Sequence, residues 1–377
     1  MARKTRKQSE DDRKYWVAFS RIRGIGAVRH HALISRFGTL AEAWRGTRSE
    51  LKEAGLEDGA VRSVLNGRGE VDPDGEMERL QKAGVRAITL DDAEYPALLK
   101  STDDAPPVLF ARGEFSPADG LSIAVVGTRR PTPYGRQVAE EMTYKIAGHQ
   151  VTIVSGLARG IDAIAHRTAI EAGGRTIAVL ACGLDMVYPP EHSKLAREII
   201  DHGVLLSEQP LGTQPRGDYF PRRNRILSGM TLGTLVIEGD VKSGALITAD
   251  FANDQGRDVF AVPGSIFSPQ SRGTNLKIQR GEAKPVLKVD DILEELNLQS
   301  VPQQLEMQQL IPATDTEADL LRHISKEPTH IDEVCRQSGL PVSTVSSLLA
   351  MMELKGLVRE MGAKAYVRAR ETAGTYI

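Results

Sequence analysis

What the sequence lacks narrows its class first. Cysteine is nearly absent: 377 residues contain only Cys182 and Cys335, far apart and with no metal-ligand spacing around either. That pattern argues against a disulfide framework or a zinc site and fits two reduced core thiols. No apolar run is long enough to span a bilayer. The basic start, Met-Ala-Arg-Lys-Thr-Arg-Lys, runs into Glu10, Asp11 and Asp12 rather than an apolar core, so neither secretion nor membrane insertion is expected and the address is cytoplasmic. An excess of one charge is missing as well. With 48 Lys and Arg against 50 Asp and Glu, the formal net charge is −2, and a polyanion can be met only by local clustering. Two nucleotide signatures are also absent. No Gly-x-Gly-x-x-Gly follows the first strand and no Gly-Lys-Ser/Thr closes a glycine run, so neither NAD nor ATP is expected.

What is present is a repeated strand-to-turn pattern. At 41% hydrophobic content the chain can bury a large core in two or three domains. The stretch Ser122 to Arg130 organises it: four apolar residues, Ile123 to Val126, predict a strand buried on both faces. Gly127 opens a turn carrying Arg129 and Arg130, and a helix follows with Val138, Met142 and Ile146 on one face. Further apolar runs stop at small or polar residues: Val151 to Val154, Thr176 to Ala181, Val204 to Leu206, Leu235 to Ile237 and Val259 to Val262. Helical stretches lie between most of them. The alternation predicts an α/β domain with a mostly parallel, doubly wound sheet, whose ligands sit in a crevice outside the carboxyl ends of the strands.

The residues at those strand ends suggest a phosphate-rich ligand. Ser155-Gly156-Leu157-Ala158-Arg159-Gly160 opens a helix with room for close backbone approach. Tyr219-Phe220-Pro221-Arg222-Arg223-Asn224-Arg225 packs three guanidinium groups, an amide and two aromatic rings into seven residues, the chemistry of a single-strand groove. The plainer reading of that stretch is a solvated helix start with arginine paired to Asp218 or Glu208. Asp162 and His166, four apart on a helix, and Glu208 and Glu238 at strand ends invite an acid–base reading. Asp162 can equally cap its helix or pair with Arg159, and no motif sets a nucleophile beside a base. No catalytic or metal-binding residue is therefore assigned.

The flanks read as smaller units. Residues 1–12 are expected to be a disordered basic arm. Residues 13–75 form a helical module similar to a helix-hairpin-helix or SAM-like fold, with Arg23-Gly24-Ile25-Gly26 as its tight turn and Asp72-Pro73-Asp74-Gly75 as a turn ahead of the next helix. The Rossmann-like domain covers 76–298, and a glutamine-rich linker covers 299–314. Residues 315–370 read as a winged helix: helices around Leu320 and over Val342 to Lys355, then a hairpin of Gly356-Leu357-Val358-Arg359 and Ala365-Tyr366-Val367 across Gly362. Its candidate recognition helix carries one positive charge, Lys355, so a protein contact is at least as well supported as duplex reading.

These residues also carry a family resemblance. Val126-Gly127-Thr128-Arg129, Ser155-Gly156-Leu157-Ala158-Arg159-Gly160-Ile161-Asp162, Phe220-Pro221-Arg222-Arg223-Asn224-Arg225-Ile226, Ser243-Gly244-Ala245-Leu246-Ile247-Thr248-Ala249 and Phe260-Ala261-Val262-Pro263-Gly264 resemble, in order, the blocks of the DNA processing protein A family, DprA or Smf. Tyr95-Pro96, Pro106 to Phe110 and Arg112-Gly113 are similar to its lead-in strand. The resemblance implies an extended Rossmann-like fold and a homodimer without nucleotide cofactor. It also implies a protein that binds and protects incoming single-stranded DNA in natural transformation and helps load the recombinase RecA. Carried over by motif, Gly127, Thr128, Arg129 and Arg130 would hold DNA with Ser155, Gly156, Arg159 and Gly160, while Phe220, Arg222, Asn224 and Arg225 would form the other wall. The best enzymatic rival is a nucleotide-processing hydrolase of the lysine-decarboxylase-like Rossmann group. It lacks its usual Pro-Gly-Gly-x-Gly-Thr segment here.

Overall fold

In the computed structural model, the described residues are 10–298, 315–325, 329–354, 358–360 and 364–368. They divide into two compact units, Met1–Asn297 and Leu298–Ile377. The expected linker 299–314, the Gly362 turn and Lys355 lie outside the described residues, as does most of the expected basic arm. That arm ends earlier than residue 12, because a helix already begins at Glu10 (Glu10–Ser20). Asp12 is tied into it, taking one hydrogen bond from the Trp16 indole at 3.3 Å and another from the backbone N–H of Ala41 at 2.9 Å.

The first unit is built on a nine-stranded sheet. Its strands are β1 (Arg86–Thr89), β2 (Val108–Gly113), β3 (Ser122–Val126), β4 (Thr152–Ser155), β5 (Thr176–Leu180), β6 (Gly203–Ser207), β7 (Gly233–Val236), β8 (Asp258–Ala261) and β9 (Lys284–Pro285). Their order is β1-β2-β6-β5-β4-β3-β7-β8-β9. The six strands β3 to β8 run parallel; β1 and β2 are antiparallel additions at one edge. Every residue of β3, β5 and β6 is buried, as strands covered by helices on both faces require. The apolar runs read from the sequence thus match the strands to within a residue or two. The chain steps from β3 through β6 in one direction and then resumes at β7 on the other side of β3. That reversal opens a crevice at the carboxyl ends of β3 and β7, where an α/β sheet places its ligand.

The six strands continue into helices that include Pro133–Gly148, Ile161–Glu171, Ser193–His202, Tyr219–Gly229 and Gly244–Asp254. The helix after β3 buries Ala139, Met142, Ile146 and Ala147, the face expected from the four-residue spacing, with Thr132 capping it from its side-chain oxygen. The loops after β3, β4 and β7 are locked to one another before any ligand arrives. Thr128 donates its backbone N–H to the carbonyl of Glu238 at 2.8 Å, and Ile161 donates to the carbonyl of Thr128 at 3.2 Å. Gly160 sits at φ +80, and a Cβ there would collide with the backbone of Thr128 and Arg129, so only glycine lets the two loops touch.

The residues expected to form a separate helical module at 13–75 share one apolar core with the sheet. Trp16, Phe19, Leu33, Leu40, Leu51, Val61 and Val64 belong to the same cluster as Ile88, Leu109 and Phe110. Arg13 reaches across to the Ala87 carbonyl at 2.7 Å and to Asp92 at 2.8 Å. Asp72-Pro73-Asp74-Gly75, read as a turn ahead of a helix, is itself the start of that helix. Asp72 caps the helix Pro73–Lys82, accepting from the Asp74 N–H, and Pro73 fills the first helical position, where its missing N–H costs nothing.

The second unit has a three-stranded sheet of β10 (Thr329–His330), β11 (Val358–Glu360) and β12 (Ala365–Arg368), ordered β10-β12-β11 and antiparallel. Helices Asp315–Arg322, Ile331–Ser338 and Val342–Leu354 pack Leu320, Leu321, Ile324, Val334, Val345, Leu349 and Met352 against Val358 and Tyr366. This is a winged helix, as the sequence predicted. Among the described residues no helix is long and apolar enough to cross a membrane.

Buried histidines make the first unit acid-sensitive, and His30 is one of them. His30 is enclosed between Trp16 and Phe19, with ring centroids 5.8 and 5.9 Å away, and burial pushes its pKa down to about 4. The unfolded chain takes up a proton near pH 6.5 that the native state refuses. Stability is therefore full above pH 6.5 and falls as pH drops toward 4, by at most about 1.4 kcal/mol per pH unit from this group. His30→Asn should flatten that part of the profile, measured as urea midpoints between pH 7 and 4; an unchanged slope would place the acid sensitivity elsewhere.

Candidate nucleic-acid interface

The crevice at the β3/β7 reversal has a volume of about 930 Å³ and is open to solvent. Its floor and walls come from the loop after β3, the loop after β7 and the helix Tyr219–Gly229. Within that helix the crevice is lined by Pro221 in the first turn and by Phe220, Arg223, Asn224 and Leu227, the latter four at positions i, i+3, i+4 and i+7 of one face. On the opposite side stand Asp240, Lys242, Ser243 and Gly244, the start of the helix Gly244–Asp254. The Asn224 side-chain amide donates to the Gly244 carbonyl at 3.2 Å, bridging the two walls.

Arg223 is buried, with 4% of its surface exposed, and it serves the scaffold. Its Nη1 donates to the carbonyl of Gly156 at 2.8 Å and to that of Val179, joining the ends of β4 and β5. Gly156 is glycine because a Cβ there would occupy the guanidinium position. Burial pushes the Arg223 pKa down to about 10, against the opposing pull of Asp162, so it stays charged at neutral pH. Asp162 is buried nearby, close enough for its charge to act on the guanidinium without a direct ion pair. It accepts from the backbone N–H groups of Gly156 at 3.1 Å and Ala158 at 3.3 Å, and burial raises its pKa. Neither Arg159 nor His166 is its partner. His166 bonds through Nδ1 to Thr176 Oγ1 at 2.7 Å, and burial lowers its pKa to about 3, leaving it neutral. The spacing that invited an acid–base reading thus serves packing: the carboxylate closes a turn and the imidazole closes a strand contact.

Of the residues expected to hold a ligand, Gly127, Thr128, Arg129, Arg130, Phe220 and Asn224 line the crevice. Thr128 Oγ1 accepts from the Arg130 N–H at 3.2 Å, which leaves its hydroxyl hydrogen to donate. Arg129 lies over the Phe220 ring, 5.7 Å from its centroid, and Tyr188 stands 5.6 Å from the same ring, so cation and aromatics form one rim. Ser155, Gly156 and Gly160 do not line it. Ser155 is buried, donating its hydroxyl to the Val125 carbonyl at 2.6 Å, and these three shape the loops beneath.

The other arginines do not converge there. Arg225 points to the opposite side of its helix, paired with Glu208 and 3.4 Å from Asp104, as the plainer reading of that stretch allowed. Burial raises the pKa of Glu208 against the pull of Arg225. Arg222 is exposed outside the crevice, close enough to Glu208 for its charge to act on it. The reason is helical geometry: 222 and 225 share a face that 220, 223, 224 and 227 do not. Arg159 is exposed, outside the crevice lining, and held by Glu191 at 2.5 Å, a pairing that raises the arginine pKa and lowers that of the carboxylate. Sequence reasoning missed Tyr188, Lys242 and Gln270, all of which line the crevice. Lys242 had a signal available, since it immediately precedes the Ser243-Gly244 helix start at a strand end.

A family model described as DNA recombination-mediator protein A matches residues 86–297, and one described as the DprA winged helix domain matches 304–364. The chain is 32% identical over 397 residues to Protein Smf of Synechocystis, covering 96% of this chain and 100% of that one. It is 47% identical over 217 residues to DNA processing protein DprA of Bacillus subtilis, covering 57% and 73%. The crystal structure of DprA from Streptococcus pneumoniae superposes with a TM-score of 0.66 at 31% identity, covering 75% of this chain and 97% of that one. A Helicobacter pylori DprA structure, described for its single-stranded DNA binding mode, gives 0.51 at 29% identity over 56% and 95%. A fold, a sequence likeness across nearly the whole length and a matching winged helix agree, and the chain belongs to the DNA processing protein A (DprA/Smf) family.

Proposed function

We propose that the crevice binds single-stranded DNA. The observation that carries this reading is the rim itself: Arg129 stacked on Phe220 beside Tyr188, with Arg130 and Lys242 lining the same space. Among the described residues none of these three cations has an ion-pair partner. Phosphates meet the cations, unpaired bases stack on the rings, and neither contact reads sequence, so preference among bases is slight. The Helicobacter pylori relative's single-strand binding supports the same ligand. By family resemblance the chain works in the cytoplasm as a homodimer that protects DNA taken up in transformation and passes it to RecA. It binds without covalent chemistry. The nucleotide-hydrolase alternative is not favoured, and the separate acid–base reading of Asp162 and His166 loses support because they are committed to backbone and strand contacts.

Binding should be electrostatic and concentrated on few groups. With three exposed cations lining the crevice, the slope of log affinity against log salt for a thymidine oligonucleotide is expected near roughly −2; a titration independent of salt would remove the phosphate reading. Arg129→Ala should weaken binding about tenfold or more with the unfolding midpoint unchanged. Arg225→Ala should do the reverse, losing about 1–3 kcal/mol of stability because the mostly buried Glu208 keeps only the weaker influence of Arg222, while the folded fraction binds normally. Equal binding losses from both variants would contradict the division of roles drawn here. Arg159 is neutralised by Glu191, so removing that carboxylate adds a net positive charge near the strand. Glu191→Gln should tighten binding about two- to fivefold at low salt, an advantage that fades as salt screens the pair.

A further inference from the structure

The loop between β8 and the helix Arg272–Gln279 presents two large apolar side chains to solvent. Ile266 is 77% and Phe267 87% exposed, and the loop that carries them is pinned rather than loose. Asn275 bonds Gly264 twice, accepting its N–H at 3.1 Å and donating to its carbonyl at 3.0 Å. The Tyr134 hydroxyl donates to the Pro263 carbonyl at 2.9 Å. At the far end the Gly239 N–H donates to the Gln270 carbonyl at 2.7 Å, and a turn with Ser268 N–H to Ser265 carbonyl at 3.0 Å closes the tip. An isolated exposed apolar residue needs no explanation. Two in sequence, held on a fixed turn whose next residues, Pro269 and Gln270, line the crevice, form a surface continuous with it.

We infer that Ile266 and Phe267 form a second stacking platform, which takes an unpaired base of the same DNA strand after it leaves the crevice past Gln270. The inference rests on the single-strand reading of the crevice. Its occupant is chosen by continuity and by charge. The tip is followed by Arg272, exposed and without an ion-pair partner among the described residues, and preceded across the crevice mouth by Arg130 and Lys242. A strand running along this line meets a cation before and after an aromatic ring, the alternation used by sequence-tolerant single-strand grooves. The aromatic at the crevice rim, Phe220, is backed by Tyr188 and Arg129. Phe267 has no such backing and gains a packing partner only when a base arrives. The platform lengthens the occluded site and does nothing for a ligand short enough to sit wholly inside the crevice.

That length dependence is the test. Binding of a twenty-residue and a four-residue thymidine oligonucleotide is compared for the full chain, an Ile266→Ala/Phe267→Ala double variant, and Arg129→Ala. The double variant should lose about tenfold in affinity for the long strand and nothing for the short one, whereas Arg129→Ala loses affinity for both. Phe267→Trp supplies a direct reading, with indole fluorescence quenched by the long oligonucleotide and not by the short. Unchanged long-strand affinity in the double variant, or a change only in the molecule's oligomeric state, would overturn the platform and assign the tip to a protein contact. Equal loss on both lengths would overturn it too, by making the loop a support of the crevice. If Arg129→Ala left both affinities intact, the crevice reading itself would fail, an outcome separate from those of the tip.

Discussion

The crevice depends on two buried charged side chains whose hydrogen bonds go to the backbone of its own loops. Arg223 and Asp162 stand beneath it, the first drawing the carbonyl ends of β4 and β5 together, the second gathering the N–H groups of Gly156 and Ala158. Burying either charge alone would cost several kcal/mol, and both are sustained only because each satisfies backbone groups. That arrangement makes the floor rigid and nearly neutral, which leaves the exposed Arg129, Arg130 and Lys242 above it as the field an incoming polyanion meets. Charge is thus layered: groups committed to backbone inside, exposed cations at the rim.

Much of this was legible in the sequence, and the parts that were not share a cause. The strands were readable because a run such as Ile123 to Val126 must be covered on both faces, and each ended at the small or polar residue where the structure turns. The reversal of strand order was not readable, since it is set by pairing between distant segments, and with it went the location of the crevice at β3 and β7. The arginine cluster misled for a local reason. Read as a composition, residues 219–225 offer three guanidinium groups to one ligand. Read with the period of a helix beginning at Tyr219, they divide into Phe220, Arg223 and Asn224 facing the crevice and Arg222 and Arg225 facing Glu208. The charge balance carried the same warning, because Glu208 and Glu191 had to be near something.

The N-terminal helices illustrate a different limit. Their pattern of apolar faces and the Gly24 turn identified helices correctly, but a module boundary is a statement about where contacts cease, and they do not cease at residue 75. Arg13 bonds to Ala87 and Asp92, and Trp16, Phe19 and Leu33 share a core with Ile88 and Phe110. The helices cover the antiparallel edge of the sheet, which would otherwise expose β1 and β2. Their acid sensitivity through His30 is accordingly a property of the whole first unit, not of an appendage.

The far edge of the same sheet is finished in another way. There β9 is only two residues long, Lys284–Pro285, both exposed. Proline has no amide hydrogen to extend a ladder, and the lysine carries a charge that an added strand would have to desolvate. The flank therefore offers an incoming strand one missing donor and one charge to desolvate, which disfavours extension of the sheet into a fibre.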